Sequence, residues 1–399
     1  MTKFLLKKFV KNYEDTKNLE VRERYGSFSG AVGIFVNTFL FIVKFIAAIV
    51  SGFAISVIAD ALNNLFDAGS SVVTLVGFKL ANKDEDKDHP FGHGRIEYIA
   101  GLIVSFIIII VGIELIKESV LKIFNPADNE FSIISVVIMA VAILIKIWLG
   151  FFNKTLGKKI NSATLKATAS DSFCDVAATS AVLIGLIVGL LFGINIEGYT
   201  GTIVAGFIIY TGITAARDTL SPLLGEAPDE EYVKEIQNTV LAHNEVIGIH
   251  DLIIHDYGPG RKVISLHAEV SADDNILEIH DVIDLIEMEL KAKFHCLATI
   301  HMDPIKLNCE FTNNLKSNLK NILKSIDSSL SFHDFRIVSG PTHTNLIFDV
   351  VMPYDFKLKP DELKSLIKEK VSTLNENYFC VINIDKDFTG VSEKEHINE

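Results

Sequence analysis

Three aspartates inside long apolar runs constrain this chain more than any other feature. Asp67 falls in IADALNNLFDAGSS (58–71), and Asp171 and Asp175 in KATASDSFCDVAAT (166–179). An ionisable side chain near the middle of a membrane span costs roughly 2.5–3.5 kcal/mol on insertion scales. Carboxylates kept there in spite of that cost predict a shared polar cavity, and the natural occupant of an anionic cavity is a cation.

The surrounding sequence is apolar enough to make membrane spans the expectation. Of the 399 residues 49% are hydrophobic, with mean hydropathy +0.34, and the apolar residues crowd into the first 225. Stretches near 28–50, 54–80, 96–117, 131–152, 163–192 and 199–217 are each long enough to cross a hydrocarbon core, which takes roughly 17–25 helical residues. The second and fifth are the least apolar, and they carry the acids. Positive charge gathers in the N-terminal run, in 81–95 (Lys83, Lys87, Arg95) and in 153–161 (Lys154, Lys158, Lys159), whereas the opposite loops hold Lys122 and little else. That asymmetry predicts both termini in the cytosol. Residues 1–27 lack an apolar core with a cleavage site and are expected to stay as a cytosolic segment. Lys44 and Lys146 fall within spans near an end, and snorkelling to the interface is the expectation for both. A net charge of −13 offers no basic face for phosphates and excludes nucleic acid as a partner. The four cysteines have no paired spacing, so neither disulfides nor a cysteine zinc site is expected.

At 100° per residue, Ser56, Asp60, Asn63, Asn64, Asp67, Ser70, Ser71 and Thr74 share roughly one third of one helix circumference. Thr164, Thr168, Asp171, Asp175 and Thr179 make a similar strip on the other. Interhelical hydrogen-bonding seams would explain the hydroxyls and amides, but a seam does not need charge. Asn63 with Asp67 and Asp171 with Asp175 are i, i+4 pairs, stacked one above the other on a helix face. Facing each other, they would bring four oxygen-bearing groups to one ion.

The patterns ADALNNLFD and ASDSFCD, with HPFGHGR between the second and third spans, resemble the cation diffusion facilitator family, in its manganese-type branch. The resemblance covers about residues 28–305. It implies a six-span, homodimeric, proton-coupled exporter of divalent metal, multi-pass in the cell membrane, with a cytosolic metal-binding domain. It also implies that Asn63, Asp67, Asp171 and Asp175 form the transport site, with Asp60 as a helper. Zinc-selective members of the family usually carry His at one or both of the positions where this chain has Asn63 and Asp171. An all-oxygen shell suits a hard cation such as manganese(II), while imidazole favours zinc and the later metals. Manganese is therefore the expected cargo, with zinc(II), iron(II) and cobalt(II) behind it. No phosphate-binding glycine loop or nucleophile motif points to an enzyme or an organic cofactor. The rival from another class is a membrane-bound metal sensor.

Residues 84–95, DEDKDHPFGHGR, place Asp86, His89 and His93 at i, i+3 and i+7. They form either a peripheral metal site, which the resemblance implies in some members, or a structural turn into the third span. After a hinge at 221–231, residues 231–304 read helix, strand, strand, helix, strand. This resembles the family's metallochaperone-like, ferredoxin-like α+β dimerisation domain. By that likeness His250, His267, His280, His301 and Asp303 match its cytosolic, regulatory metal positions. HDFRIVSGPTHTNLIFDVVMP (333–353) echoes HDLIIHDYGPGRKVISLHAEV (250–270), and VINIDKD (381–387) echoes TIHMDPI (299–305), so the unit reads as duplicated. In the copy His267 becomes Asp349, His280 becomes Glu362 and His301 becomes Asn383. A copy with so few imidazoles is expected to be structural. The expected domains are 1–27, the membrane domain 28–222, the cytosolic domain 226–305 and its degenerate copy 310–399.

Overall fold

A computed structural model describes residues 2–387 of the chain, apart from 17, 51–54, 125–132, 193–195, 307–308 and 341. It divides into two compact units, Met1–Glu226 with Asp256–Lys262, and Ala227–His255 with Val263–Glu399.

The first unit is helical. A short α1 (Thr2–Phe9) precedes α2 (Leu19–Val50), α3 (Ile55–Ala81), α4 (Ile96–Phe124), α5 (Ile133–Lys159), α6 (Ala163–Phe192) and α7 (Glu197–Leu224). Among the described residues, α2, α4, α5 and α7 are long and apolar enough to cross a membrane. Helices α3 and α6 are of similar length, 27 and 30 residues, and they carry the aspartates. Large apolar side chains such as Phe66, Phe106, Leu144, Ile203 and Tyr210 point outward, as a lipid solvent would favour.

Helix α2 packs along α3, α4 along α7 and α5 along α6. Without a hydrophobic drive between helices in lipid, close approach depends on small residues. On α2 these are Gly26 and Gly30. A Cβ on Gly26 would stand 1.9 Å from the Phe78 ring, and one on Gly30 would stand 2.6 Å from Leu75 Cβ. This contact sets the position of α3, and with it Asp67.

The helix ends are tied by a buried ion pair. Glu97 at the start of α4 is 2% exposed and accepts from Arg22 of α2 at 2.6 and 3.0 Å. It also accepts from Ser162 Oγ at 2.7 Å, and its backbone carbonyl accepts from Thr164 at 2.5 Å. Arg22 further donates to the carbonyl of Ile160, just past α5.

The second unit runs α8 (Glu230–Val240), β1 (Val246–Asp256), β2 (Lys262–Ser271), α9 (Ile276–Phe294), β3 (Cys296–Ile305), α10 (Glu310–Ile326), β4 (Ser331–Ser339), β5 (Thr344–Pro353), α11 (Pro360–Ser372) and β6 (Tyr378–Asp387). Asp229 caps α8 by accepting from Glu231 N and Tyr232 N, and Asn275 caps α9, the usual service of a short polar side chain to orphan N–H groups. The sheets are three-stranded, ordered β1-β2-β3 and β4-β5-β6. Each half thus lacks the opening strand of a full βαββαβ ferredoxin-like unit. Strands β2 and β5 bury the same alternate positions. One core joins Ile264, Leu266 and Ala268 to Ile279, Ile283 and Ile286, and a separate one joins Leu346, Phe348 and Val350 to Leu363 and Ile367. Helices thus cover one face of each sheet, and the other face carries its polar residues.

Removing one partner of a buried ion pair typically costs about 3–5 kcal/mol. Glu97→Ala is therefore expected to lower the unfolding midpoint of the purified protein in detergent substantially; an unchanged midpoint would show that the Arg22 pair does not hold the helix ends.

Candidate metal centres

Helix α3 turns Asn64, Asp67, Ser70, Ser71 and Thr74 inward, all 6% exposed or less, and α6 does the same with Thr164, Thr168 and Ser172. The strips meet at Thr74 and Thr168, whose hydroxyls lie 3.1 Å apart. A hydrogen-bonded seam is therefore present, and the acids lie beside it. Asp67, Asp171 and Asp175 each bring a carboxylate oxygen within 4.8 Å of the others. Asn63, Asp67, Asp175 and Thr179 line one small cavity together with Lys44 and Lys146. The side chain of Asp60 lies outside the described residues.

Lys146 corrects the snorkelling expectation. Its Nζ donates to Asp67 Oδ2 at 2.7 Å and to Asp175 Oδ2 at 2.5 Å, and only 6% of the side chain is exposed. Helix α5 runs to Lys159, beyond the span end expected near 152. At 1.5 Å per residue Lys146 stands about 20 Å from either helix end, and its ammonium is spent on the two carboxylates. Lys44 is likewise buried. The signal was available: Leu149, Phe152, Leu156 and Ile160 are all buried in one core, a helical spacing that carries α5 past 152.

In the loop before α4, the three expected residues come together. Asp86 Oδ1 lies 3.1 Å from His89 Nδ1 and Asp86 Oδ2 lies 3.3 Å from His93 Nε2, with ring centroids of the two histidines 4.6 Å apart. Asp86 also accepts from the backbone of Asp88 and His89, so the same side chain shapes the turn. The Lys83 ammonium, 2.7 Å away, holds the Asp86 carboxyl well below its ordinary range.

On the sheet β1-β2-β3, His250, His267 and Asp303 form a third cluster. His267 Nδ1 lies 2.8 Å from Asp303 Oδ2, and His301 Nε2 lies 3.4 Å from Asp303 Oδ1 at the exposed rim. His280 does not join them. It stands on α9 beside Asp284 at 3.5 Å, 57% exposed. The reason is the face it occupies: α9 packs on the core side of the sheet through Ile279, Ile283 and Ile286, whereas His267 alternates with the core residues Leu266 and Ala268 and so faces the other way. Sequence spacing reports residue type and order, not the face.

A family model described as the cation efflux transmembrane domain matches residues 31–224, and one described as the cation efflux protein cytoplasmic domain matches 228–305. The chain is similar to an uncharacterized transporter of Methanocaldococcus jannaschii, 30% identical over 67% of this chain and 94% of that protein. It is also similar to the manganese efflux system protein MneS of Bacillus subtilis, at 28% over 71% and 99%. A third relative is the cation-efflux pump FieF of Shewanella oneidensis, at 25% over 67% and 90%. Residues 306–399 lie beyond both family models.

Lys146→Ala leaves Asp67 and Asp175 without the ammonium between them. The variant is expected to melt at a lower temperature than the unaltered protein in chelator, and to be restored more strongly by added divalent cation. Equal melting in chelator would show that the lysine does not hold the acids together.

Proposed function

The chain belongs to the cation efflux family, and we propose that it exports a divalent metal cation from the cytosol, manganese(II) ahead of zinc(II), iron(II) or cobalt(II). The observation that carries this reading is the convergence of Asp67, Asp171 and Asp175 from α3 and α6, with Asn63 lining the cavity that Asp67 and Asp175 share. These four residues are the proposed transport site. Helices α2 to α7 are the six spans, both termini lie in the cytosol, and two chains form a homodimer through the cytosolic part. The domain limits are those read from the sequence, with 310–399 a degenerate copy of 226–305. The matched strand order and burial of the two sheets support that duplication.

Manganese is favoured by the donor set. Four oxygen donors without an imidazole suit a hard cation, and manganese efflux proteins among the relatives support the same cargo. Asp86, His89 and His93 form a peripheral site. His250, His267, His301 and Asp303 form the cytosolic regulatory one.

Export of a divalent cation from a cell with a negative interior opposes about 4.6 kcal/mol per 100 mV, twice the single-charge value. A pore would leak the metal inward, so efflux needs coupling to a second ion. Lys146 stands between Asp67 and Asp175 when no metal is bound. A metal arriving from the cytosol displaces the ammonium, and after release outside the carboxylates take up protons before the ammonium returns. Asn63 cannot titrate, so only the three carboxylates exchange protons in each cycle.

Asp67→Ala or Asp175→Ala is expected to abolish manganese uptake into inverted vesicles, and full-rate uptake by either would refute the assigned site. The lumen of an inverted vesicle corresponds to the cell exterior, so a lumen more acidic than the bath should drive that uptake as protons leave; indifference to the gradient would refute antiport. Asp171→His supplies an imidazole and is expected to raise zinc transport at the expense of manganese, measured as the ratio of the two fluxes.

A further inference from the structure

A fourth cluster shares His250 with the cytosolic centre and otherwise uses residues that none of these centres contains. His250, Asp251 and His333 each bring a ligand atom within 4.8 Å of the others. His250 and Asp251 belong to β1 of the first sheet, and His333 to β4 of the second.

The backbone aims these side chains unusually. Asp251 and Asp334 each follow a histidine and take positive φ, 51° and 54°. Such values are uncommon outside glycine, though Asp tolerates them. In β4 the register shifts between His333 and Arg336, as at a bulge, which re-aims a side chain. The two imidazoles are brought face to face, 4.6 Å between centroids and 26° between planes.

The spacing differs from that of a hydrogen-bond network. His333 Nε2 lies 3.5 Å from Asp251 Oδ1 and 3.6 Å from Asp385 Oδ2, and His250 Nδ1 lies 3.4 Å from Asp251 Oδ2. Good hydrogen bonds run about 2.7–3.2 Å. Two donors around one tetrahedral ion, with bonds of 2.0–2.2 Å, stand about 3.3–3.6 Å apart. The side chains of His250 and His333 are 3% and 4% exposed, and the nitrogens they turn to Asp251 are His250 Nδ1 and His333 Nε2.

We propose that His250, Asp251 and His333 bind a divalent transition-metal ion between the two α+β halves, with Asp385 adjoining as a further oxygen donor. The C-terminal half thereby completes a metal site and is clasped to the first half through the ion. Two imidazoles and carboxylate oxygen suit zinc(II) better than manganese(II). His250 turns Nε2 toward Asp303, at 3.1 Å, and Nδ1 toward Asp251. A neutral imidazole has one lone pair, so this position and the His267–Asp303 position share a ligand and fill alternately.

The test therefore removes the competing position first. Zinc binding by the full-length chain in detergent is measured by calorimetry with zinc alone, in His267→Ala and then in His267→Ala with His333→Ala. The double variant is expected to lose one zinc equivalent, or to bind it at least tenfold more weakly. His267→Ala with Asp251→Asn, which leaves the C-terminal sheet untouched, should show the same loss, and circular dichroism reports folding of each. If the Asp251 double variant, folded, binds zinc as His267→Ala does, the proposal fails. A folded His333 double variant with unchanged binding would also overturn it.

Discussion

The ammonium of Lys146 held between Asp67 and Asp175 is the contact on which the helical unit depends. Buried charge of one sign is tolerated in an apolar medium only where opposite charge meets it. Here the opposite charge comes from α5, while the acids sit on α3 and α6. The pair therefore does more than neutralise: it ties three helices at mid-length, where lipid-facing packing gives no comparable specificity. The close α2–α3 contact at Gly26 and Gly30 then holds α3 from its other side.

Much of this was legible in the sequence, because the acids follow helical spacing and an acid in an apolar run is conspicuous. For Lys146 the difference has a definable cause. Polar residues begin near 152 and suggest the end of the span there, yet Leu156 and Ile160 continue the buried stripe. A lysine judged close to an interface lies instead at the midpoint of its helix. His280 lies apart from the cluster for another reason. Its residue type and spacing matched, but α9 covers the face of the sheet opposite His267, and face is a property of tertiary packing.

The C-terminal half is a third kind of case. Loss of imidazoles at Asp349, Glu362 and Asn383 argues for a structural copy. What the sequence could not show is that His333, which the copy retains, comes to rest against His250, its counterpart in the first half. Contact between equivalent residues is a product of how two similar sheets meet. Motif comparison treats each half separately and is blind to it. The repeated His-Asp dipeptide, with its left-handed aspartate in both halves, was the local sign that the two strands bend alike.

The Arg22–Glu97 knot has a mechanical implication. It fastens α2, α4, the end of α5 and the start of α6 at one level of the bundle, so these helices cannot slide past one another there. Relative motion is confined to tilting about that level, and displacement grows with distance from it. Helix α4, with 29 residues, is about 43 Å long, so a tilt of roughly 5° about the knot moves its far tip by about 4 Å. That is wider than a bare divalent ion, and a rotation too small to disturb the pinned end is enough to part the helices at the other.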